Sequence, residues 1–256
     1  MPFKSGLSPP GGAAGGPAKP VPRRPLGVRG VAQIARQASA VDEGEDRKGA
    51  IRQANEARIL GAGEKVFARA GFNGATMAAI ADEAGLPKAN LHYYFGSKSG
   101  LYEAVLARTL HDWLLPLDAL LPEADPALAL TTYIRAKMAM SAQRPDASKV
   151  FANELLHGAP VLGGLMRGEL RIKVAAKAAV IDGWIAAGRM APVDSTHLFF
   201  TLWAATQTYA DFDQQVASVL GRKTLSARDH QRATEHVLSL ILRGCGLAAG
   251  GLHPVG

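Results

Sequence analysis

From Ile51 to Leu247 the apolar residues recur at three- and four-residue spacing almost without interruption, and no run alternates strongly enough to compete as a strand. That periodicity restricts the chain to an all-α fold. With 256 residues, 48% of them apolar, there is material for a full core and for one large or two small domains. Apolar runs such as "LFFTLWAA" fall well short of the roughly 18 residues that a membrane-spanning helix needs, and the N-terminus has Lys4 but no apolar segment behind it. No membrane partner and no secretory signal are expected. Cys245 is the single cysteine, which excludes an internal disulfide and a cysteine-based zinc site and fits a cytoplasmic protein.

Charge is unevenly distributed. Residues 1–50 are rich in Gly and Pro ("LSPPGGAAGGPAKPVPRRPLG") and carry Arg23, Arg24, Arg29 and Arg36 ahead of the acidic "DEGED". Such a segment buries too little surface to offset its ordering entropy, so a disordered tail is expected. It is either a solvated extension or a basic arm adding non-specific affinity for a polyanion; the net charge of +7 points only weakly to an anionic partner.

Residues 51–98 read as three short helices. Ile59, Gly63, Val66, Phe67 and Ala70 mark the inner face of the first, which ends in "AGFNGAT". Thr76 occupies an N-cap position before "MAAIADEA", and Gly85 closes that helix. Pro87 suits the first position of a third helix, "KANLHYYF". Two short helices joined by a tight glycine-containing turn make a helix-turn-helix, whose second helix enters the DNA major groove. Lys88 and His92, four residues apart, share one face, with Asn90 on its flank. Tyr93 and Tyr94 bring hydroxyls to phosphates, Leu91 and Phe95 turn inward, and Ser97 and Lys98 open the next helix where a phosphate is favoured.

The stretch from Thr76 through "IADEAGLPKANLHYYFGSKSGLYEAVL" resembles the DNA-binding domain of the TetR family of transcriptional regulators. The resemblance implies base contacts from Lys88, Ala89 and His92, and phosphate contacts from Thr76, Tyr93, Tyr94 and Lys98. Two residues depart from the family pattern. Pro87 stands where a capping Ser or Thr is common, and His92 where Tyr is usual.

Residues 99–247 read as a second, all-helical domain, with a connecting helix interrupted near Pro116 and further helices over 128–142, 146–157, 161–187, 195–219 and 227–244; 248–256 read as a flexible tail. The family's architecture implies that this domain binds a small effector and dimerises through its last two long helices. "NELLHGAPVL", "GWIAAGRMAPVD" and "LFFTLWAATQTYADF" resemble the pyrimidine-utilisation regulators within that family, which implies uracil or thymine as effector. Such a base needs a flat apolar slot and a side chain that complements its acceptor–donor edge. Trp203 and Gln207, one turn apart, supply both, with Asn153 and Tyr209 as further candidates. Ordinary core for Trp203, a dimer-seam position for Gln207 and an unrelated small apolar effector remain open.

An enzymatic alternative rests on Glu154 with His157 and Asp194 with His197, whose i, i+3 spacing faintly resembles that of helical di-metal centres. The additional glutamates such a centre needs do not stand out, and His157 abuts Gly158 at an expected helix end, where a histidine is favourable without a metal. The expectation is therefore a homodimeric, ligand-responsive regulator of double-stranded operator DNA, with no catalytic residue, no metal and no cofactor.

Overall fold

The computed structural model describes the backbone of residues 28–247 and side chains from Gly49 onward; Arg52 and the residues after it form one compact unit. The tail expected over 1–50 lies largely outside the described residues, as does that over 248–256. Helix α1 spans Val28–Gly74, however, and so begins earlier than expected. No proline follows Pro25 until Pro87, glycines become sparse, and the Ala, Gln, Arg and Glu residues after Gly27 are good helix formers even where few apolar residues recur.

The three-helix N-terminal domain forms as its punctuation dictates. Gly71 breaks the helical path of α1 with a φ of 66°. Helix α2 (Met77–Ala84) is capped by Thr76, whose Oγ1 accepts the Ala79 N–H at 3.1 Å, and ends at left-handed Gly85. Helix α3 (Lys88–Phe95) follows with Pro87 at its N-cap, and α4 (Lys98–Leu114) is capped by Ser97. Ile59, Val66, Phe67, Ile80, Leu91 and Leu101 interlock as the core of this domain. Gly63 permits the close crossing of α1 on α4, because a Cβ there would lie 3.1 Å from Val105 Cγ2.

Beyond a 3₁₀ turn at Leu115–Ala119 the chain continues through α5 (Pro126–Gln143) and α6 (Pro145–Leu156). The single helix expected over 161–187 is instead a short α7 (Gly163–Leu165), a π-helical turn (Met166–Leu170) and α8 (Arg171–Ala186). Gly163, Gly164 and Gly168 weaken regular α-helix there. The helix expected over 195–219 likewise breaks at non-helical Phe212 into α9 (Ser195–Asp211) and α10 (Asp213–Val219). Helix α11 (Ala227–Gly244) starts with a capping box between Ser226 and Asp229. Helix α5 packs against both α9 and α11, and Tyr133, Phe199, Leu202 and Leu238 are among the residues closing the core between them. Among the described residues there is no strand, and no helix is long and apolar enough to cross a membrane.

Candidate functional site

Helix α3 divides into two faces. Leu91 is fully buried, whereas Lys88, Ala89, His92 and Tyr93 are exposed and Asn90 and Tyr94 half-buried. Tyr93 is 74% exposed, and its ring meets Tyr94 edge to face at 5.2 Å, while Tyr94 rests against the core. Thr76 is exposed, and its hydroxyl accepts the capping bond, so its own proton remains available to a phosphate oxygen. No side chain caps α3 at Pro87.

Lys98 is engaged elsewhere. Its ammonium donates to the carbonyls of Phe72 at 2.8 Å, Ala75 at 3.0 Å and Asn73 at 3.4 Å, and lies 4.6 Å from the centre of the Phe72 ring. The start of α4 thereby ties down the end of α1, where orphan carbonyls need donors. His92 is also held: its Nδ1 lies 3.0 Å from the Gly96 carbonyl, and the Gly96 N–H donates to the His92 carbonyl.

A small cavity of about 90 Å³ lies in the C-terminal domain among α4, α5, α6, α9 and the π-helical turn. Leu110, Leu114, Leu117, Phe151, Leu155, Met166 and Leu170 make its walls apolar, and Trp113, Tyr133, Lys137, Trp203 and Gln207 add aromatic and polar chemistry. Trp203 Nε1 donates to the Tyr133 hydroxyl at 2.9 Å. Burial pushes that phenol up to about 12, so the hydroxyl keeps its proton as a donor. Lys137 is only 2% exposed, and its Nζ lies 4.0 Å above the Trp113 ring. Among the described residues it has no hydrogen-bond acceptor; burial lowers its pKa to about 7, an effect partly opposed by the Asp211 carboxylate. Gln207 contributes an amide with no hydrogen-bond partner among the described residues. The cavity therefore offers three unspent polar groups in an apolar shell.

Two of the four expected effector residues, Trp203 and Gln207, meet in this cavity. Asn153 and Tyr209 do not line it, for a helical reason: each lies two positions from a cavity residue, about 200° around the helix. Phe151 and Leu155 give α6 its cavity face, so Asn153 points to a separate cleft of about 590 Å³ shared with Asn73, Ser99, Tyr102 and His157. Tyr209 packs half-buried against the core. Of the aromatic and polar residues of the cavity, Trp113, Tyr133 and Lys137 were not expected from the sequence, and Lys137 alone of these carries a charge. Its signal was a lysine within the inward run of Tyr133, Ile134, Met138 and Ser141 on α5.

The carboxylates of the enzymatic alternative have other partners. Glu154 accepts from the Tyr102 hydroxyl at 3.1 Å and from the Val161 and Leu162 N–H groups at 2.6 and 3.1 Å; Asp194 caps α9 through the His197 N–H. Among the described residues no group of three or more His, Cys, Asp or Glu is placed to hold a metal.

These features define a helix-turn-helix DNA-binding protein with a small, largely apolar cavity in its C-terminal domain. Residues 59–105 match the family model of bacterial regulatory proteins of the tetR family, and residues 106–248 match the YcdC-like protein C-terminal region. The HTH-type transcriptional regulator RutR of Escherichia coli K12 is 41% identical over 191 residues, which cover 75% of this chain and 90% of that protein. A tetR-family regulatory protein from Rhodococcus RHA1 superposes with a TM-score of 0.59 at 20% identity, over 76% of this chain and 98% of the other. A ketosteroid transcriptional regulator of Mycobacterium tuberculosis does so at 0.59 and 16%, over 74% and 94%. The chain belongs to the TetR family. It is a ligand-responsive, DNA-binding transcriptional regulator that acts as a homodimer.

Proposed function

We propose that this regulator is a cytoplasmic repressor released from its operator by a single-ring pyrimidine of the uracil and thymine class. The observation that carries the effector assignment is the buried, unpartnered Lys137 ammonium beside the Gln207 amide and the Tyr133 hydroxyl. A pyrimidine-2,4-dione presents carbonyl, N–H and carbonyl along one edge. Lys137 and Tyr133 are donors suited to the carbonyls, and an amide offers one donor and one acceptor side by side. The cavity is far smaller than the roughly 300–1,000 Å³ of sites for drug-sized ligands, which fits one ring with its exocyclic oxygens.

On DNA, Lys88, Ala89, Asn90 and His92 face bases, while Thr76, Tyr93 and Tyr94 hold phosphates. The dimer forms through α9 and α11, whose outer faces carry Phe200 and Leu240, 48% and 61% exposed. The effector binds better to a state whose two recognition helices are wrongly spaced for successive major grooves, and that difference in affinity sets how far DNA is released. The test is the melting temperature of the free protein against a panel of nucleobases. Uracil and thymine raise it, because they bind only the folded state, and purines do not. A panel in which purines stabilise and pyrimidines do not overturns the effector class.

A further inference from the structure

The Nδ1 of His92 lies 3.0 Å from the carbonyl oxygen of Gly96, four residues on, and the Gly96 N–H returns a bond to the His92 carbonyl at 3.0 Å. A carbonyl only accepts, so Nδ1 carries the proton of that bond. In the neutral imidazole the other nitrogen, Nε2, then has a lone pair and no hydrogen. Both the ring's orientation and its tautomer are set by the end of the recognition helix itself. The ring is exposed, on the face it shares with Lys88, and Lys88 can only donate.

Resting on the operator-binding role of α3 above, we propose that His92 reads the operator as a hydrogen-bond acceptor, selecting a base with an exocyclic amino group on the strand it faces. In the major groove those bases are adenine, through N6, and cytosine, through N4; guanine and thymine present acceptors at the corresponding place. Lys88, one turn earlier, takes the opposite part and selects an acceptor, guanine above all. One helical turn is about 5.4 Å and one base-pair step about 3.4 Å, so the two side chains reach adjacent or next-but-one base pairs. Each half-site then carries a base with an amino group and a base with an acceptor, one or two steps apart. A tyrosine at position 92 would have no such restriction, since its hydroxyl both donates and accepts.

The test is selection from a random duplex library at about pH 8, above the usual range of imidazole, with the wild type, His92→Ala and His92→Lys. The wild type should favour A or C over G and T at one position of each half-site by roughly three- to ten-fold, as one net hydrogen bond allows. His92→Ala should level that position alone, and His92→Lys, a pure donor, should move it to G or T. In the selected duplex, replacing the preferred base by the analogue that lacks only the amino group, purine or 2-pyrimidinone, should weaken wild type by the same factor and leave His92→Ala unaffected. A motif that survives His92→Ala at every position, or an analogue that weakens both proteins equally, overturns the acceptor role. A library from which wild type enriches nothing overturns operator binding by α3 and the acceptor role with it.

Discussion

Arg144, at the corner between α5 and α6, is paired with Glu64 of α1, a carboxylate 80 positions away in sequence and only 6% exposed. The same guanidinium reaches Asp112 of α4, so one residue of the effector domain holds both a DNA-domain helix and the connecting helix. The two helices that meet at Arg144 carry Tyr133, Lys137, Phe151 and Leu155 to the cavity. At the far end of α6, buried Glu154 accepts from Tyr102 of α4, which packs on Phe67 and Phe72. Burial, with Glu154 adjacent, holds the Tyr102 phenol far above its ordinary range, so the bond keeps its donor. A displacement of α6 would therefore reach the helices of the DNA-binding domain at two points.

Replacing Arg144 by Met leaves Glu64 buried without its partner. Stability should fall by on the order of 3 kcal/mol, read as the midpoint of urea unfolding, and the Glu64→Gln variant should lose less, because no buried charge is stranded. Whatever DNA affinity Arg144→Met retains should respond less to uracil than that of the wild type.

Lys98 and Lys88 should separate cleanly. Lys98→Ala removes the donors that tie α4 to the end of α1, and should cost about 1–2 kcal/mol of stability. Lys88→Ala should leave the melting temperature unchanged and weaken binding to the selected operator by roughly 1–3 kcal/mol, with relaxed preference at one base pair. An unchanged melting temperature for Lys98→Ala would count against the strut.

Lys137 makes stability pH-dependent in a defined direction. Burial lowers its pKa to about 7 in the folded protein from the ordinary lysine value of 10.5, so the unfolded chain binds more protons between those values. The burial penalty is fully present below about pH 7 and is relieved as pH rises towards 10.5. The wild type should therefore gain stability across that window relative to Lys137→Met, and the variant should be the more stable of the two at pH 7 and below. Effector affinity should fall as pH rises above about 7, since a ligand carbonyl favours the protonated amine. Parallel stability curves for the two proteins would contradict the burial of the charge.

The dimer seam can be distinguished from the core on one helix. Leu240 is 61% exposed and Ile241 6%, so Leu240→Asp should yield a folded monomer by sedimentation that binds the palindrome weakly, whereas Ile241→Asp should fail to fold. A dimeric Leu240→Asp protein would move the seam away from this face of α11.

The helix-turn-helix was legible almost to the residue because its signals are local: a threonine cap, glycines at both ends of α2 and a buried leucine between exposed recognition residues. The cavity was half legible. Trp203 and Gln207 share one helix, and a single period brings them together, but Lys137 and Trp113 come from helices whose packing no local pattern encodes. Asn153 suited a pyrimidine by its identity, and its helical phase turns it to the other, larger cleft. Lys98 stands where a phosphate is favoured, while the carbonyls of Phe72, Asn73 and Ala75, distant in sequence, accept from its ammonium. The π-helical turn had its local signal in Gly163, Gly164 and Gly168, whereas no glycine or proline marks the break at the exposed Phe212.

The most direct test is calorimetry with uracil on wild type, Gln207→Leu and Lys137→Met, followed by release of each from the selected operator. Wild type should bind with one site per protomer and leave the DNA. Both variants should keep operator binding and lose ligand binding and release, at a cost on the order of 1–3 kcal/mol for each buried group left unpaired. Uracil binding to both variants with wild-type affinity, or no binding to the wild type, would contradict the assignment of this cavity to a pyrimidine effector.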